Sequence, residues 1–242
     1  MWNRQELKFK GKTALKANYW KSVLVGLIIT VIGGGISFGA NLNVTNMEDM
    51  QASLAEHGVF ITGFSLFSIA VTILLINPAM VGCNNFFLQN RKDPTTDLKP
   101  LGIAFSNDYG NIVKTMFFTD LFIILWSFLF IIPGIIKSYE YRLVPFILSD
   151  NPDMDYKDVL QKSKELMYGS KWQAFILDLS WIGWSILGGL TAGILLIFYV
   201  IPYITATEAE LYMALAHPDE AKRVGLAVPD AETVEFETTE NK

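Results

Sequence analysis

Long apolar stretches separated by short polar segments dominate the pattern of this chain. The apolar stretches cover about residues 20–40, 59–88, 112–132, 135–149, 173–187 and 190–212. A helix crosses a bilayer with about 20 mostly apolar residues, and most of these stretches approach that length. The pattern therefore predicts an all-α fold, a polytopic transmembrane helix bundle, with residues 1–215 forming one integral membrane domain.

Proline and glycine pairs interrupt the apolar stretches. Pro133-Gly134 separates the third stretch from the fourth, and Gly188-Gly189 separates the fifth from the sixth. We expect a turn at each of these places. Asn77-Pro78 lies inside the second stretch, where proline removes a helical hydrogen bond, so we expect a kink or hinge there. The fourth stretch rises only about 22 Å as a helix, so it crosses if it is tightly packed or if the bilayer thins locally.

Lysine and arginine are unevenly distributed among the polar segments. Residues 1–21 contain six of them, residues 89–114 contain four and residues 150–171 contain four, whereas residues 41–58 contain none. Because basic segments tend to stay in the cytoplasm, an even number of spans should separate them. This predicts six spans paired as three hairpins, with both termini cytoplasmic. A five-span alternative places either residues 157–171 or the C-terminal tail outside.

Two polar segments have the pattern of amphipathic cytoplasmic surface helices. Residues 2–21 place apolar side chains on one helical face and basic side chains on another, and residues 154–168 alternate apolar residues with lysines. These lysines would attract anionic lipids at about 1 kcal/mol per charge, although membrane orientation alone explains them equally well. Residues 216–242 are polar and acidic, and we expect this cytoplasmic tail to be disordered.

Composition excludes several functions. The chain of 242 residues is 51% hydrophobic and 18% charged, with a net charge of −5, and we expect no nucleic-acid partner. The single cysteine, Cys83, excludes an intramolecular disulfide. His57 and His217 lack the spacing of metal ligands, and no cofactor motif stands out. No nucleophile–base pair lies within the spans, so we predict that the protein is not an enzyme and holds no cofactor or metal.

Five ionisable residues within the apolar stretches are candidate ligand-binding residues: Asp120, Lys137, Glu140, Arg142 and Asp178. Charge inside a bilayer is costly and is therefore often functional. At the rise of a helix, Asp120, Arg142 and Asp178 lie about 9–12 Å from the cytoplasmic ends of their spans, so they can meet at one level. Lys137 and Glu140 are three residues apart on one helix and can pair with each other.

These charges support two hypotheses. The first is a polar site, open to the cytoplasm, that binds an anionic or zwitterionic group through Arg142 and Lys137. The second is a structural ion-pair network that locks the hairpins together. An ordered polar cavity at Arg142 would favour the first hypothesis, and a filled bundle core would favour the second.

A short repeat precedes each predicted hairpin. It reads Leu15-Lys-Ala-Asn-Tyr-Trp20 before the first, Leu166-Met-Tyr-Gly-Ser-Lys-Trp172 before the third and, more weakly, Phe105-Ser-Asn-Asp-Tyr-Gly-Asn111 before the second. Each copy combines a helix end, an Asn or Gly cap and an aromatic anchor. The repeating unit would be a surface helix plus a hairpin, three times over.

Several motifs in the second half of the chain resemble a bacterial membrane family. They are Pro133-Gly-Ile-Ile-Lys-Ser-Tyr139, Pro145-Phe-Ile-Leu-Ser-Asp-Asn-Pro152, Ser163-Lys-Glu-Leu-Met-Tyr-Gly169, Lys171-Trp172, Leu177-Asp-Leu-Ser-Trp-Ile-Gly-Trp184 and Ile201-Pro-Tyr203. The family is catalogued as domain of unknown function 975, and the resemblance implies a helical membrane fold without an assigned activity. The chain is similar, more loosely, to the membrane domain attached to some glycerophosphoryl diester phosphodiesterases. The hydrolase domain and its His/Glu metal ligands are absent from this sequence, which argues against that activity.

The leading functional hypothesis is a non-enzymatic binding or accessory module embedded in the bacterial cytoplasmic membrane. The alternative is a small transporter or lipid-handling protein that uses the level of Asp120, Arg142 and Asp178. Expected partners are the lipid bilayer, including anionic lipids, and another membrane protein or a second copy of the chain. Homodimerisation would help a chain of this size to enclose a path.

Overall fold

The computed structural model describes residues 2–34, 63, 66–105 and 108–221. Every regular element within these residues is helical, and the prediction of an all-helical fold is confirmed. The polar segment 41–58 lies outside the described residues, and so does the tail beyond residue 221.

Ten α-helices make up the described part of the chain. They are α1 (Arg4–Ala17), α2 (Tyr19–Gly34), α3 (Leu66–Asn90), α4 (Tyr109–Leu129), α5 (Ile131–Glu140), α6 (Val144–Asp150), α7 (Tyr156–Leu166), α8 (Lys171–Leu179), α9 (Ile182–Leu190) and α10 (Ile201–Ala216). A π-helical turn, Thr72–Ile76, lies within α3, and a second, Leu196–Val200, leads into α10. A 3₁₀ segment, Lys99–Phe105, packs against α3.

Three helical stretches are long and apolar enough to cross a membrane: Leu66–Asn90, Tyr109–Leu129 and Lys171–Leu190, which combines α8 and α9. Arg4–Ala17 and Tyr19–Ile32 would form a fourth if they made one span, but they are bent by 107° at their junction. These lengths indicate that the protein associates with a membrane.

The described surface has two unlike parts. We call residues 117–136 and 179–198 the apolar tips, because large apolar side chains are exposed along both. Their most exposed members include Leu125, Phe128, Phe130, Ile131, Ile132, Ile186, Leu190 and Ile194. Large apolar side chains are also exposed on α2 and along residues 66–75. Soluble monomers rarely expose apolar patches larger than a few hundred Å², so the apolar tips and these two helices are the surface that fits lipid.

The second part is a packed body built from α1, residues 77–90, α6, α7 and α10. Its core is formed by fully buried side chains such as Phe86, Ile147, Val159 and Tyr212. The predicted fourth span, 135–149, therefore divides in two. A turn at residues 141–143 separates α5, which carries exposed isoleucines, from α6, whose side chains are buried within the protein.

The two surface helices pack their apolar faces on protein. Leu7, Gly11 and Leu15 of α1 are buried, and a Cβ at Gly11 would lie 2.9 Å from the Thr207 nitrogen of α10. Burial, and secondarily Arg4, lower the pKa of Lys8, whose ammonium lies 3.9 Å from the ring centre of Trp181. The face that the sequence predicts to rest on lipid is thus covered by α10.

The helix breaks lie a few residues away from the predicted turns. The chain reverses at Phe130 (φ −157°, ψ 143°). Pro133 lies in the first turn of α5, where a backbone N–H has no acceptor within the helix, so the N–H that proline lacks costs no hydrogen bond. Gly134 continues α5, and a Cβ there would lie 2.7 Å from the Ser127 Cα. The Pro-Gly pair therefore allows close packing of α5 on α4 rather than forming the turn.

The predicted turn at Gly188-Gly189 is displaced in the opposite direction, towards the C-terminus. Both glycines continue α9, and the chain turns at residues 191–193, where Ala192 and Gly193 have φ values of 50° and 85°. A Cβ at Gly188 would overlap the Leu196 side chain. This glycine thus allows close contact between the two arms of the tip.

Candidate functional site

Arg142 is the centre of a charged cluster at the base of the apolar tips. The turn before Val144-Pro145 carries its side chain towards α8 and α10. Its two terminal nitrogens donate to the two carboxylate oxygens of Asp178 at 2.6 and 2.7 Å, and Nη2 also donates to Glu208 Oε1 at 2.8 Å. The Tyr139 hydroxyl donates to Asp178 Oδ2 at 2.7 Å. The guanidinium thus joins α8 and α10 to the turn between α5 and α6.

A groove of about 510 Å³ lies beside this cluster, and its walls include Ser138, Tyr139 and the three charged side chains. The Arg142 side chain is 14% exposed, Asp178 is 36% exposed and Glu208 is 27% exposed. One cation faces two carboxylates, and those carboxylates accept hydrogen bonds from both terminal nitrogens of the guanidinium. This charge balance disfavours the predicted anionic ligand, because an anion would have to displace a carboxylate that is already bidentate.

Asp120 does not join the cluster, although its distance from the end of its apolar stretch predicts that it could reach Arg142. Its Oδ2 accepts a hydrogen bond of 2.5 Å from the Asn77 side-chain nitrogen, so Asp120 serves the helix break in α3. Glu208 occupies the place that the sequence analysis assigned to Asp120. The sequence feature that could have indicated a role for Glu208 is its position as one of two acidic residues in the last apolar stretch.

Lys137 and Glu140 form the pair that their spacing predicts, and a third residue joins them. Glu140 binds Lys137 through Oε2 and Lys171 through Oε1, each at 2.5 Å. The Ser163 hydroxyl donates to the Glu140 backbone oxygen at 2.7 Å. This second cluster connects α5 to α7 and to the start of α8.

The most deeply buried ion pair was not predicted. Arg91 donates through Nε and Nη2 to the two carboxylate oxygens of Glu210, both at 2.9 Å, and the two side chains are 1% and 3% exposed. Arg91 Nη1 is buried without a hydrogen-bond partner among the described residues. In the sequence, Arg91 is one of the four basic residues of 89–114 that indicate orientation, because it directly follows the last apolar residues of α3.

Asn77-Pro78 marks a helix break that the structure accommodates by a π-helical turn. Pro78 follows the turn Thr72–Ile76, and Pro202 follows the turn Leu196–Val200 in the same way. A proline leaves the carbonyl four residues earlier without its helical donor. For Pro78 this is the carbonyl of Leu74, and for Pro202 it is the carbonyl of Phe198.

A tyrosine from a neighbouring helix satisfies each of these carbonyls. The Tyr109 hydroxyl donates to the Leu74 oxygen at 2.5 Å, and the Tyr19 hydroxyl donates to the Phe198 oxygen at 3.0 Å. Both tyrosines are aromatic anchors of the short sequence repeat. In these two of the three copies, the tyrosine that starts one helix therefore satisfies the carbonyl freed by a proline in another helix.

Residues 103–218 match the family described as Protein of unknown function (DUF975). The matched region is just under half of the chain and supports the family resemblance that the motifs predicted. No curated protein and no solved structure matches this chain. The looser resemblance to the membrane domain of glycerophosphoryl diester phosphodiesterases stays a prediction.

The DUF975 region contains α4 to α10, and so it includes Arg142, Asp178 and Glu208 together with the Lys137–Glu140–Lys171 cluster. Asn77 and Arg91 precede it. Within the described residues, no group of three or more His, Cys, Asp or Glu side chains is arranged to hold a metal ion. His217 lies 2.8 Å from Asp150, which also accepts a hydrogen bond from Tyr212.

Replacing Tyr109 or Tyr19 by Phe should destabilise the protein by about 1 kcal/mol each, because a break carbonyl loses its donor. The measurement is thermal unfolding of the purified protein in detergent. Tyr168→Phe is the matched control, since the Tyr168 side chain is 84% exposed. Equal stabilities of all three variants would contradict the role assigned to Tyr19 and Tyr109.

Proposed function

We propose that this chain is an integral protein of the bacterial cytoplasmic membrane that acts as a non-enzymatic binding or accessory module. Six transmembrane segments form three hairpins, namely α2 with α3, α4 with α5, and α8–α9 with the helix that ends in α10. Both termini lie in the cytoplasm. The observation that carries the proposal is the pairing of the charges at the base of the apolar tips with one another.

Apart from Lys137–Glu140, which lies within α5, these ionic contacts join different hairpins. Arg91 of the first hairpin binds Glu210 of the third, and Arg142 of the second binds Asp178 of the third. Lys171, at the start of the third, binds Glu140 of the second. A network that uses its charges to fix helices leaves few of them for a substrate, so it supports a structural module over an enzyme or a transport path.

A small transporter or lipid-handling protein is the second candidate. The groove of about 510 Å³ beside Arg142 supports it, since a polar groove at the base of apolar helices can hold a ligand. Its excess carboxylate favours a cationic or zwitterionic group over an anion.

The lengths of the apolar tips make topology the first experiment. The returning helix α5, Ile131–Glu140, rises only about 15 Å, whereas the hydrocarbon core is about 30 Å thick. The second hairpin therefore crosses where the bilayer is locally thinned. Single cysteines at Phe130 and Thr191, in a Cys83→Ala background, should be labelled from outside intact cells by a membrane-impermeant maleimide.

Cysteines at Lys12 and Gln161 are the matched controls, and they should be labelled only after the cells are opened. Labelling of positions 130 and 191 from the cytoplasmic side would refute membrane insertion. Shielding of both positions from both sides would mean that the hairpins end within the bilayer, and the six-span topology would be wrong.

Arg142→Ala separates the two candidate functions. For a structural network we expect a lower amount of folded protein in the membrane, with any cell phenotype following that loss. Lys114→Ala is the control, because Lys114 is 47% exposed and lies 3.7 Å from Asp155. Normal abundance of folded Arg142→Ala protein together with the phenotype of a deletion would favour the transporter.

A further inference from the structure

We propose that the groove between α4 and α7 binds the phosphate headgroup of an anionic phospholipid. The inference rests on the proposed membrane insertion and adds a ligand class to it. The groove has a volume of about 250 Å³. Phe122, Tyr141 and Leu160 form its apolar floor, and Lys157, Gln161 and Lys164 form its rim.

The floor of the groove is held in place by packing. Tyr156, at the start of α7, stacks on Phe118 of α4 with ring centres 4.6 Å apart. Val159 and Ser163 on the inner face of α7 are fully buried, and Leu160 is nearly so. α7 is therefore fixed against α4 and α6, and the groove is already formed before a ligand binds.

The rim offers positive charge that the described protein does not neutralise. Lys157, Gln161 and Lys164 are spaced at i, i+4 and i+7, which places them along one exposed face of α7. Lys157 and Lys164 form no ion pair with a carboxylate among the described residues.

Two of the acidic residues nearest to these lysines in sequence have other partners, and a third is exposed. Asp155 caps α7 and lies 3.7 Å from Lys114, and Glu165 accepts a hydrogen bond from Gln161 at 2.6 Å. Asp158, three residues before Gln161, is exposed. The two lysines thus remain available to a phosphate, which binds lysine as a point charge.

The position of the groove favours a membrane lipid over a soluble phosphate. Phe122 lies within the apolar tip of α4, next to exposed Leu121 and followed by exposed Ile124 and Leu125. Acyl chains can therefore lie along α4 while the headgroup reaches Lys164. A soluble phosphate would make no use of this apolar surface, whereas a phospholipid matches the apolar floor and the cationic rim together.

The test uses the full-length protein in detergent micelles with equal amounts of phosphatidylglycerol and phosphatidylcholine, and native mass spectrometry counts the bound lipids. Wild type should prefer phosphatidylglycerol. Lys157→Gln/Lys164→Gln should lower that preference about thirtyfold, given roughly 1 kcal/mol for each of the two lysines. Lys12→Gln/Lys16→Gln removes the same charge from exposed positions of α1 and should retain the preference.

An equal loss of the preference for phosphatidylglycerol in both double variants would mean that any basic surface can bind the lipid. An unchanged preference in the α7 variant would mean that the lipid does not use the groove. Either result overturns the proposal. Displacement of the bound lipid by millimolar glycerol phosphate would assign the groove to a soluble phosphate and overturn it as well. Carbonate-resistant association of each variant with vesicles reports insertion separately, so a failure there refutes the proposed function itself.

Discussion

Arg91→Met is expected to lower the free energy of unfolding by about 3–5 kcal/mol, because it leaves the Glu210 carboxylate buried without a counter-ion. Arg91 donates two hydrogen bonds of 2.9 Å to Glu210, and both side chains are almost fully shielded from solvent. They also connect residues that are 119 positions apart, at the end of α3 and within α10. The measurement is unfolding in mixed micelles titrated with sodium dodecyl sulfate and followed by circular dichroism.

The neighbouring residue provides the control. Lys92 lies 3.2 Å from Glu220, but the two side chains are 53% and 51% exposed, so Lys92→Met should leave the free energy of unfolding almost unchanged. The hydrogen bond from Lys92 lowers the pKa of Glu220, so this weak contribution is present at neutral pH and fades as the solution is acidified. Equal effects of Arg91→Met and Lys92→Met would contradict the assigned burial.

The double replacement Arg91→Met/Glu210→Leu should regain much of the stability lost by the single one. Met and Leu are apolar and similar in volume to the residues they replace, so the double variant has no desolvated charge. It also lacks the buried Nη1 of Arg91, which has no hydrogen-bond partner among the described residues. A double variant as unstable as Arg91→Met would mean that the lost stability comes from the ion pair itself and not from leaving the Glu210 carboxylate without a counter-ion.

Gly82→Ala is expected to destabilise the protein by about 1–3 kcal/mol, because the added methyl overpacks a closed interface. Gly82 lies in α3, and its Cβ would overlap the backbone carbonyl of Leu101 in the 3₁₀ segment, with the Leu101 carbonyl carbon only 3.1 Å away. A backbone carbonyl cannot rotate aside as a side chain can. Helix propensity alone would favour Ala by about 1 kcal/mol, so the sign of the effect tests the contact.

Gly110→Ala is the matched control, since Gly110 is also helical but nothing lies within 4 Å of a Cβ built there. We expect this variant to be as stable as wild type or slightly more stable in the same titration. A stabilising Gly82→Ala would show that the 3₁₀ segment moves freely away from α3.

The pattern of apolar and polar residues was sufficient for the coarse features of this protein. A run of about 20 apolar residues has few alternatives to a helix in a bilayer, since every backbone polar group must be satisfied internally. The all-helical fold and the long apolar helices follow from that requirement. The positions of Arg142 and Asp178 relative to the ends of their stretches also predicted that these residues could meet, because helical rise converts sequence distance into depth.

Tertiary structure decided which side chains pair at a given depth. Asp120 binds Asn77 rather than Arg142, Glu208 completes the cluster at Arg142, and Arg91 is buried against Glu210 although it follows the end of an apolar stretch. These contacts depend on the rotation of each helix about its axis and on how neighbouring helices pack. Hydropathy measures how apolar a segment is but not which partner its polar residues face, so the helix that carries a charge could be predicted and the partner of that charge could not.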